Sequence, residues 1–247
     1  MSRKGNTKNG MHIMICAIMQ PTFLPWAGYF NLMAQADDFV FLDDVQLEKQ
    51  SWQTRNRLLM NGCAQWISLP LRHSKLSKSI QETEVCDMGR WSKKLAKGFK
   101  LNYGKHPHYD AACDIINLLI FESEVKLATL NEKVIRFVAE KLEITTRLHR
   151  AGELGVKGAR STRLISLCEH FKAKEYLSPV GAADYLSEDG FTLKTKTKLR
   201  LQEYYPKNYP QKGSQDFFSH LSIVDVIANL GWDGAREYII KGVVDEL

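Results

Sequence analysis

Nowhere in these 247 residues do eighteen apolar residues run together. That excludes a membrane-crossing helix, which takes about 20. No Cys-x-x-Cys pair occurs either, so the spacing of a structural zinc site is missing. The five cysteines, Cys16, Cys63, Cys86, Cys113 and Cys168, are odd in number and scattered, several in apolar company. They read as reduced thiols of a cytoplasmic protein. A phosphate-cradling Walker loop, a glycine-rich dinucleotide fingerprint, a serine nucleophile elbow and a Ser-His-Asp order are all absent. So are an arginine-rich arm and an RNA-binding signature, which argues against sequence-specific recognition of nucleic acid and against DNA as a partner. Residues 1–10 are basic and polar without a following apolar core or cleavage site, and read as a flexible tail rather than a signal peptide.

What remains is the composition of an ordinary globular chain, 44% hydrophobic and 25% charged, with a net charge of +6. Its length fits one domain over residues 11–247. The mild basic excess suits an anionic ligand such as a nucleotide, a sugar nucleotide or tRNA, or else solvated lysine-rich helix faces.

The segment from His12 to Met19 is a continuous apolar run, as in a strand covered on both faces. It breaks at Pro21 and Pro25 and restarts with helical spacing from Ala27 to Ala36. A second short apolar strand, Phe39 to Leu42, ends in Asp43-Asp44. Strand, helix and strand in this order make a βαβ unit with parallel pairing. Asn61-Gly62, between Arg57–Met60 and Gln65–Leu71, marks a β-hairpin. Ser79 to Val85 reads as a further strand. Helices follow over Met88–Leu101, Tyr109–Phe121 and Leu130–Leu142, the last opened by a capping box at Thr129–Glu132. They form an insertion over about residues 88–142, separated at His106-Pro107. The α/β pattern resumes with a helix from Ser161 to Phe171, a strand at Glu175–Ser178, an alternating strand within Leu193–Tyr204, and a helix from Ser222 to Leu230 with Gly231 as C-cap. The fold class is α/β, a Rossmann-like parallel sheet with a β-hairpin extension and a helical insertion.

Ligands of such folds bind beyond the carboxyl ends of the strands. Gln20 and Thr22 stand at the first such end, where they can orient a ligand without ionising. Asp43 and Asp44 stand at the second. Paired carboxylates there can hold magnesium, a ribose or an amine, or divide into acid and base; they can equally satisfy amides of a turn. Residues 46–57 combine amides and cations with an indole. Trp52 would stack on a base or sugar while Lys49, Arg55 and Arg57 hold phosphate, and Gln46 and Asn56 orient the ligand. His73, close to Lys75, is placed to reach a phosphate.

Several of these segments carry a family likeness. Gln20-Pro-Thr-Phe-Leu-Pro-Trp-Ala-Gly-Tyr-Phe30, Phe41-Leu-Asp-Asp-Val-Gln46 and Ser51-Trp-Gln-Thr-Arg-Asn-Arg57 resemble three motifs of the WbqC-like family of bacterial proteins. Tyr176-Leu-Ser178, Gly181, Tyr185, Tyr209-Pro-Gln211, Leu221-Ser-Ile-Val-Asp225 and Gly231 continue the resemblance. It spans about residues 14–231. It implies a link to O-antigen and other surface-polysaccharide gene clusters, and a glycine-transferase role acting on an amino sugar. The first turn is also similar to that of the nucleotidylyltransferases, but Trp26 and Tyr29 occupy the places of their two phosphate-stabilising histidines.

The expected function is therefore acyl or aminoacyl transfer to a nucleotide-linked or lipid-linked amino sugar. Asp43 or Asp44 would deprotonate the amine. The substrate-binding set would be Gln20, Thr22, Trp26, Tyr29, Gln46, Lys49, Trp52, Arg55, Asn56, Arg57, His73 and Ser178. An aminoacyl-tRNA is one candidate donor. The alternatives are a nucleotidyltransferase with magnesium on Asp43 and Asp44, and a non-catalytic sugar-nucleotide binding protein.

Overall fold

The computed structural model describes residues 7–8, 11–72, 78–120 and 125–241. A two-residue antiparallel ladder, Thr7–Lys8 with Met11–His12, comes first. The elements after it are β1 (Ile15–Met19), α1 (Ala27–Ala34), β2 (Asp38–Phe41), β3 (Arg55–Met60), β4 (Cys63–Ser68), α2 (Met88–Tyr103), α3 (Tyr109–Ile120) and α4 (Leu127–Lys141). Then come β5 (Arg147–Arg150), α5 (Arg160–His170), β6 (Glu175–Ser178), α6 (Ala183–Glu188), α7 (Phe191–Lys194), β7 (Lys198–Leu201) and α8 (Ile223–Ile240). The chain divides into two compact units. One comprises Met1–Met19, Leu32–Leu42 and Thr146–Glu203; the other comprises Gln20–Asn31, Asp43–Thr145 and Tyr204–Leu247.

The first unit holds a five-stranded parallel sheet in the order β5-β2-β1-β6-β7. The first strand lies in the middle, and the chain winds outward to one edge and then to the other. This is the Rossmann-like order, whose direction of winding reverses between β1 and β6. The expected βαβ unit is present, with Cys16 opposite Asp38 and Met19 opposite Phe41. Cys16, Ala17, Phe39, Val40 and Phe41 are wholly buried, as an apolar run covered on both faces requires. One face packs Cys16, Ile18, Val40 and Tyr176 against Leu164, Leu167 and Phe191. At the β2–β5 edge, burial pushes the Asp38 carboxyl pKa up. Hydrogen bonds from Arg147 (2.7 Å) and His149 (2.8 Å) outweigh that and hold it below the ordinary value.

The second unit holds the antiparallel hairpin β3–β4, whose Asn61 and Gly62 have φ of 52° and 74°. Positive φ at both central residues is what a two-residue type I′ turn needs. Within this unit α2, α3, α4 and α8 pack as a helical layer, and α2 lies against β3.

Two expectations need correction. Ser79–Val85 forms isolated bridges (Gln46 with Ser79, Leu71 with Val85) rather than a strand. Helix α4 starts at Leu127, upstream of the proposed capping box, because Leu127, Ala128 and Leu130 are already buried and the Leu127 amide bonds the Thr83 carbonyl. The strand expected within Leu193–Tyr204 is present as β7, Lys198–Leu201, after a short helix that ends at Lys194. Gly231 ends the helical segment that opens at Ser222, as expected, since its φ of 69° and ψ of −175° are non-helical. Ser222 caps α8, accepting from the Val224 amide at 3.3 Å, and a second helical segment follows the break at Gly231. A Cβ there would lie 2.9 Å from Nδ1 of His108, so the imidazole occupies the space a side chain would need.

Candidate ligand-binding site

The loop from Gln20 to Trp26 is a strained backbone stitched down by buried side chains. Leu24 has a φ of 43°, a conformation costly for a bulky residue. Asn56 holds it there, donating to the carbonyls of Phe23 (3.0 Å) and Leu24 (2.8 Å). Asn131 donates to Pro21 (2.9 Å) and to Gln53 (2.8 Å), and the Phe23 amide bonds the Trp52 carbonyl at 2.9 Å. The hydroxyls of Thr22 (3.3 Å) and Tyr29 (3.2 Å) both donate to the Gln20 carbonyl, while Gln53 donates to the Gln20 side chain. Burial, with the nearby Glu132 charge, raises the Tyr29 pKa well above its ordinary value and keeps it a donor. Two of the expected segments, beginning at Gln20 and Trp52, thus converge. Thr22, Tyr29 and Asn56 lie in or against this loop, where their donors serve its own carbonyls.

That framework carries a row of rings and cations. Trp26 packs between Tyr204 (centroids 5.5 Å apart) and His220 (4.6 Å). Arg57 donates to the carbonyls of Ser219 (3.2 Å) and His220 (3.4 Å), and its guanidinium lies 5.8 Å from the centroid of Trp66. Arg55 sits over the same indole at 4.2 Å. Trp52 completes the row, 5.1 Å from Trp66 at an interplanar angle of 50°. The pleat explains the arrangement. Arg55 and Arg57 are two apart on β3 and share a face, and Trp66 on β4 is the direct cross-strand partner of Arg57.

Trp52 and Trp66 are 44% and 45% exposed, unusual for the side chain with the most apolar surface to hide. No ion pair to a carboxylate is formed by Arg55 or Arg57 among the described residues. The site is therefore a cationic, aromatic surface that offers stacking and positive charge together. Desolvation of the His220 ring, with the Arg57 charge beside it, lowers its pKa. In the free protein His220 is neutral over a wider pH range than an ordinary histidine, and an anion placed beside Arg57 would draw a proton onto it. Anionic ligands are accordingly expected to bind about threefold to tenfold more tightly as pH falls from 7.5 to 5.5. Substituting His220→Gln should flatten that dependence in a calorimetric titration across pH.

The remaining expected residues are placed as follows. Asp43, 3% exposed, begins a segment running antiparallel to Lys78–Gln81: its carbonyl accepts from the Gln81 amide at 2.9 Å, and Val45 accepts from Ile80. Asp44 is half-buried, and Gln46 and Lys49 are exposed. Ser178, in the first unit, is fully buried at the end of β6 and donates to the Pro179 carbonyl at 3.3 Å. His73 lies outside the described residues. No cluster of three or more His, Cys, Asp or Glu side chains fit to hold a metal occurs among the described residues. A hollow of 660 Å³ in the first unit is lined by Lys172, Lys174, Lys194 and Lys196, with Glu169 and Leu193. It lies at the amino ends of β6 and β7, the end of an α/β sheet that ligands do not use.

Sequence reading missed Trp66 and His220. Trp66 had a signal, since it alternates in phase with Arg57 across a hairpin the sequence announced. His220 had none, being 163 residues from Arg57 along the chain.

The profile of the WbqC-like protein family matches residues 20–237. The chain belongs to that family. It is also 30% identical over 226 residues to an uncharacterized protein, Rv1507c, of Mycobacterium tuberculosis (strain ATCC 25618 / H37Rv), covering 90% of this chain and 96% of the other. No solved structure matches it.

Proposed function

We propose that this member of the WbqC-like protein family is a transferase that places an acyl or aminoacyl group, glycine in the simplest case, on an amino sugar used in surface-polysaccharide assembly. The observation that carries the reading is the pair of guanidiniums beside an exposed indole, neither with a carboxylate partner among the described residues. It suits a ligand with both a ring to stack and a phosphate to bind. Arg55, Arg57 and Lys49 hold phosphate in this reading, while the exposed Trp52 and Trp66 supply the stacking faces and Trp26, packed by Tyr204 and His220, closes the row. Gln20 and Gln46 orient the ligand. Asp43 receives the amine. Its nitrogen forms a bond to the donor's ester carbonyl carbon as the carbon–oxygen ester bond breaks. The proton lost by nitrogen passes to the Asp43 carboxylate and from there to the departing oxygen.

Mass spectrometry of the surface polysaccharide from a deletion strain tests this. Loss of one acyl or glycyl substituent is expected. Restoring the gene with Asp43→Asn should give turnover lower by about a hundredfold or more, the usual contribution of a positioned base. Loss of a whole sugar, with magnesium-dependent pyrophosphate release by the purified protein, would point instead to nucleotidyl transfer. An unaltered polymer would overturn the reading.

A further inference from the structure

We propose that the row from Trp26 to Trp52 receives an unpaired stretch of RNA, the single-stranded end of an aminoacyl-tRNA acting as donor. This rests on the transferase reading above and names the ligand of that same surface. Three features select a single strand. The first is extent. Trp26, His220, Arg57, Trp66, Arg55 and Trp52 form a continuous series, whereas one base or one sugar ring covers about one indole. The second is angle. Trp52 and Trp66 are inclined at 50°, so one flat ring cannot lie against both; two successive rings joined by a flexible backbone can.

The third is charge. Both arginines lack a carboxylate partner among the described residues, and Lys49 is exposed with no ion pair there either. A neutral oligosaccharide would leave those cations unused, while a phosphate follows every base of a nucleic-acid strand. Stacking platforms interleaved with cations are how proteins hold unpaired strands without reading sequence. This accords with a chain that lacks any sequence-specific RNA-binding signature. A duplex is disfavoured because its base faces are stacked inside and cannot meet an indole. An ester-linked aminoacyl group at the end of such a strand also has the oxygen leaving group to which the proposed step returns its proton.

The test is fluorescence anisotropy of the full chain with a 5′-fluorescein-labelled, unstructured RNA hexamer, with the blunt duplex of the same sequence as competitor. The single strand is expected to bind, to quench tryptophan emission, and to be displaced at least tenfold more weakly by the duplex. Trp66→Leu should weaken binding about tenfold, in line with the loss of one stacked base. Arg55→Gln should lower the slope of log affinity against log salt by about 0.7, the effect of one phosphate contact on a single strand. Both side chains are partly exposed, and an unaltered thermal midpoint would show that the fold is intact. Equal affinity for single strand and duplex, or no response to either substitution, would overturn the proposal. If RNA fails to bind while the deletion strain still loses its acyl substituent, the donor assignment falls and the transferase reading stands.

Discussion

Replacing Asp225 by alanine is expected to lower the unfolding free energy of the second unit by about 4 kcal/mol, the scale for stripping the acceptor from several buried donors at once. Asp225 is wholly buried near the start of α8. It accepts from Tyr103 (2.7 Å), Tyr209 (2.5 Å) and Gln211 (3.0 Å). The Tyr103 hydroxyl in turn accepts from the Leu59 amide at 2.8 Å, so one carboxylate ties α2, α8 and strand β3 together. Gln211 also brackets residue 218 through both its carbonyl and its amide. The hairpin bearing Arg55, Arg57 and Trp66 is therefore docked through this residue. Denaturant titration followed by tryptophan emission measures the loss, and a value below about 1 kcal/mol would contradict the account.

The same group sets a pH dependence. Burial raises the Asp225 pKa above that of an ordinary carboxylate, with the tyrosine hydrogen bonds pulling it part of the way back. The folded chain then holds the proton more tightly than the unfolded chain does. The stability this contributes is present below the unfolded value and is lost as pH rises through the folded one. Asp225→Asn should remove that slope.

Much of the sheet was legible because its signals are local. A continuous apolar run, two prolines, helical spacing and a second run gave β1, α1 and β2 in parallel, and Asn61-Gly62 gave the hairpin. One misreading has a tertiary cause. Thr129–Glu132 has the composition of a cap, but tertiary burial of Leu127 and Ala128 extends the helix past it. Gly231 was legible as a terminus: its positive φ ends the first helical segment, His108 fills the space beside it, and a second segment follows. The motif residues were conspicuous, yet sequence alone does not say which ones face a ligand. Asn56 and Arg57 are adjacent on one strand, and the pleat sends one into the loop's carbonyls and the other outward to Trp66. Tyr209, Gln211 and Asp225 stood out in the family pattern as well. Only their convergence on one carboxylate shows that they hold the site up rather than form it.

Gly28→Ala is expected to act with the opposite sign to the usual one. A glycine in an exposed helix interior costs about 0.5–1 kcal/mol relative to alanine, so the exchange ordinarily stabilises. At residue 28 an added Cβ would sit 2.2 Å from two ring atoms of Trp26, well inside contact distance. The indole cannot swing aside freely, since Tyr204 packs on it at 5.5 Å and His220 at 4.6 Å. The backbone before it is pinned by Asn56 at residues 23 and 24. Overpacking of this kind costs about 1–3 kcal/mol. Net destabilisation of about 2 kcal/mol should therefore appear in thermal unfolding. Displacing Trp26 also breaks the stacked row at the end nearest α8. Affinity for the RNA hexamer should fall about tenfold, with a shifted emission maximum, while Gly89→Ala, where an added Cβ meets nothing within 4 Å, leaves both in place. A stabilised Gly28→Ala protein with undiminished binding would show that the Trp26 ring is free to move, and that the row does not depend on its position.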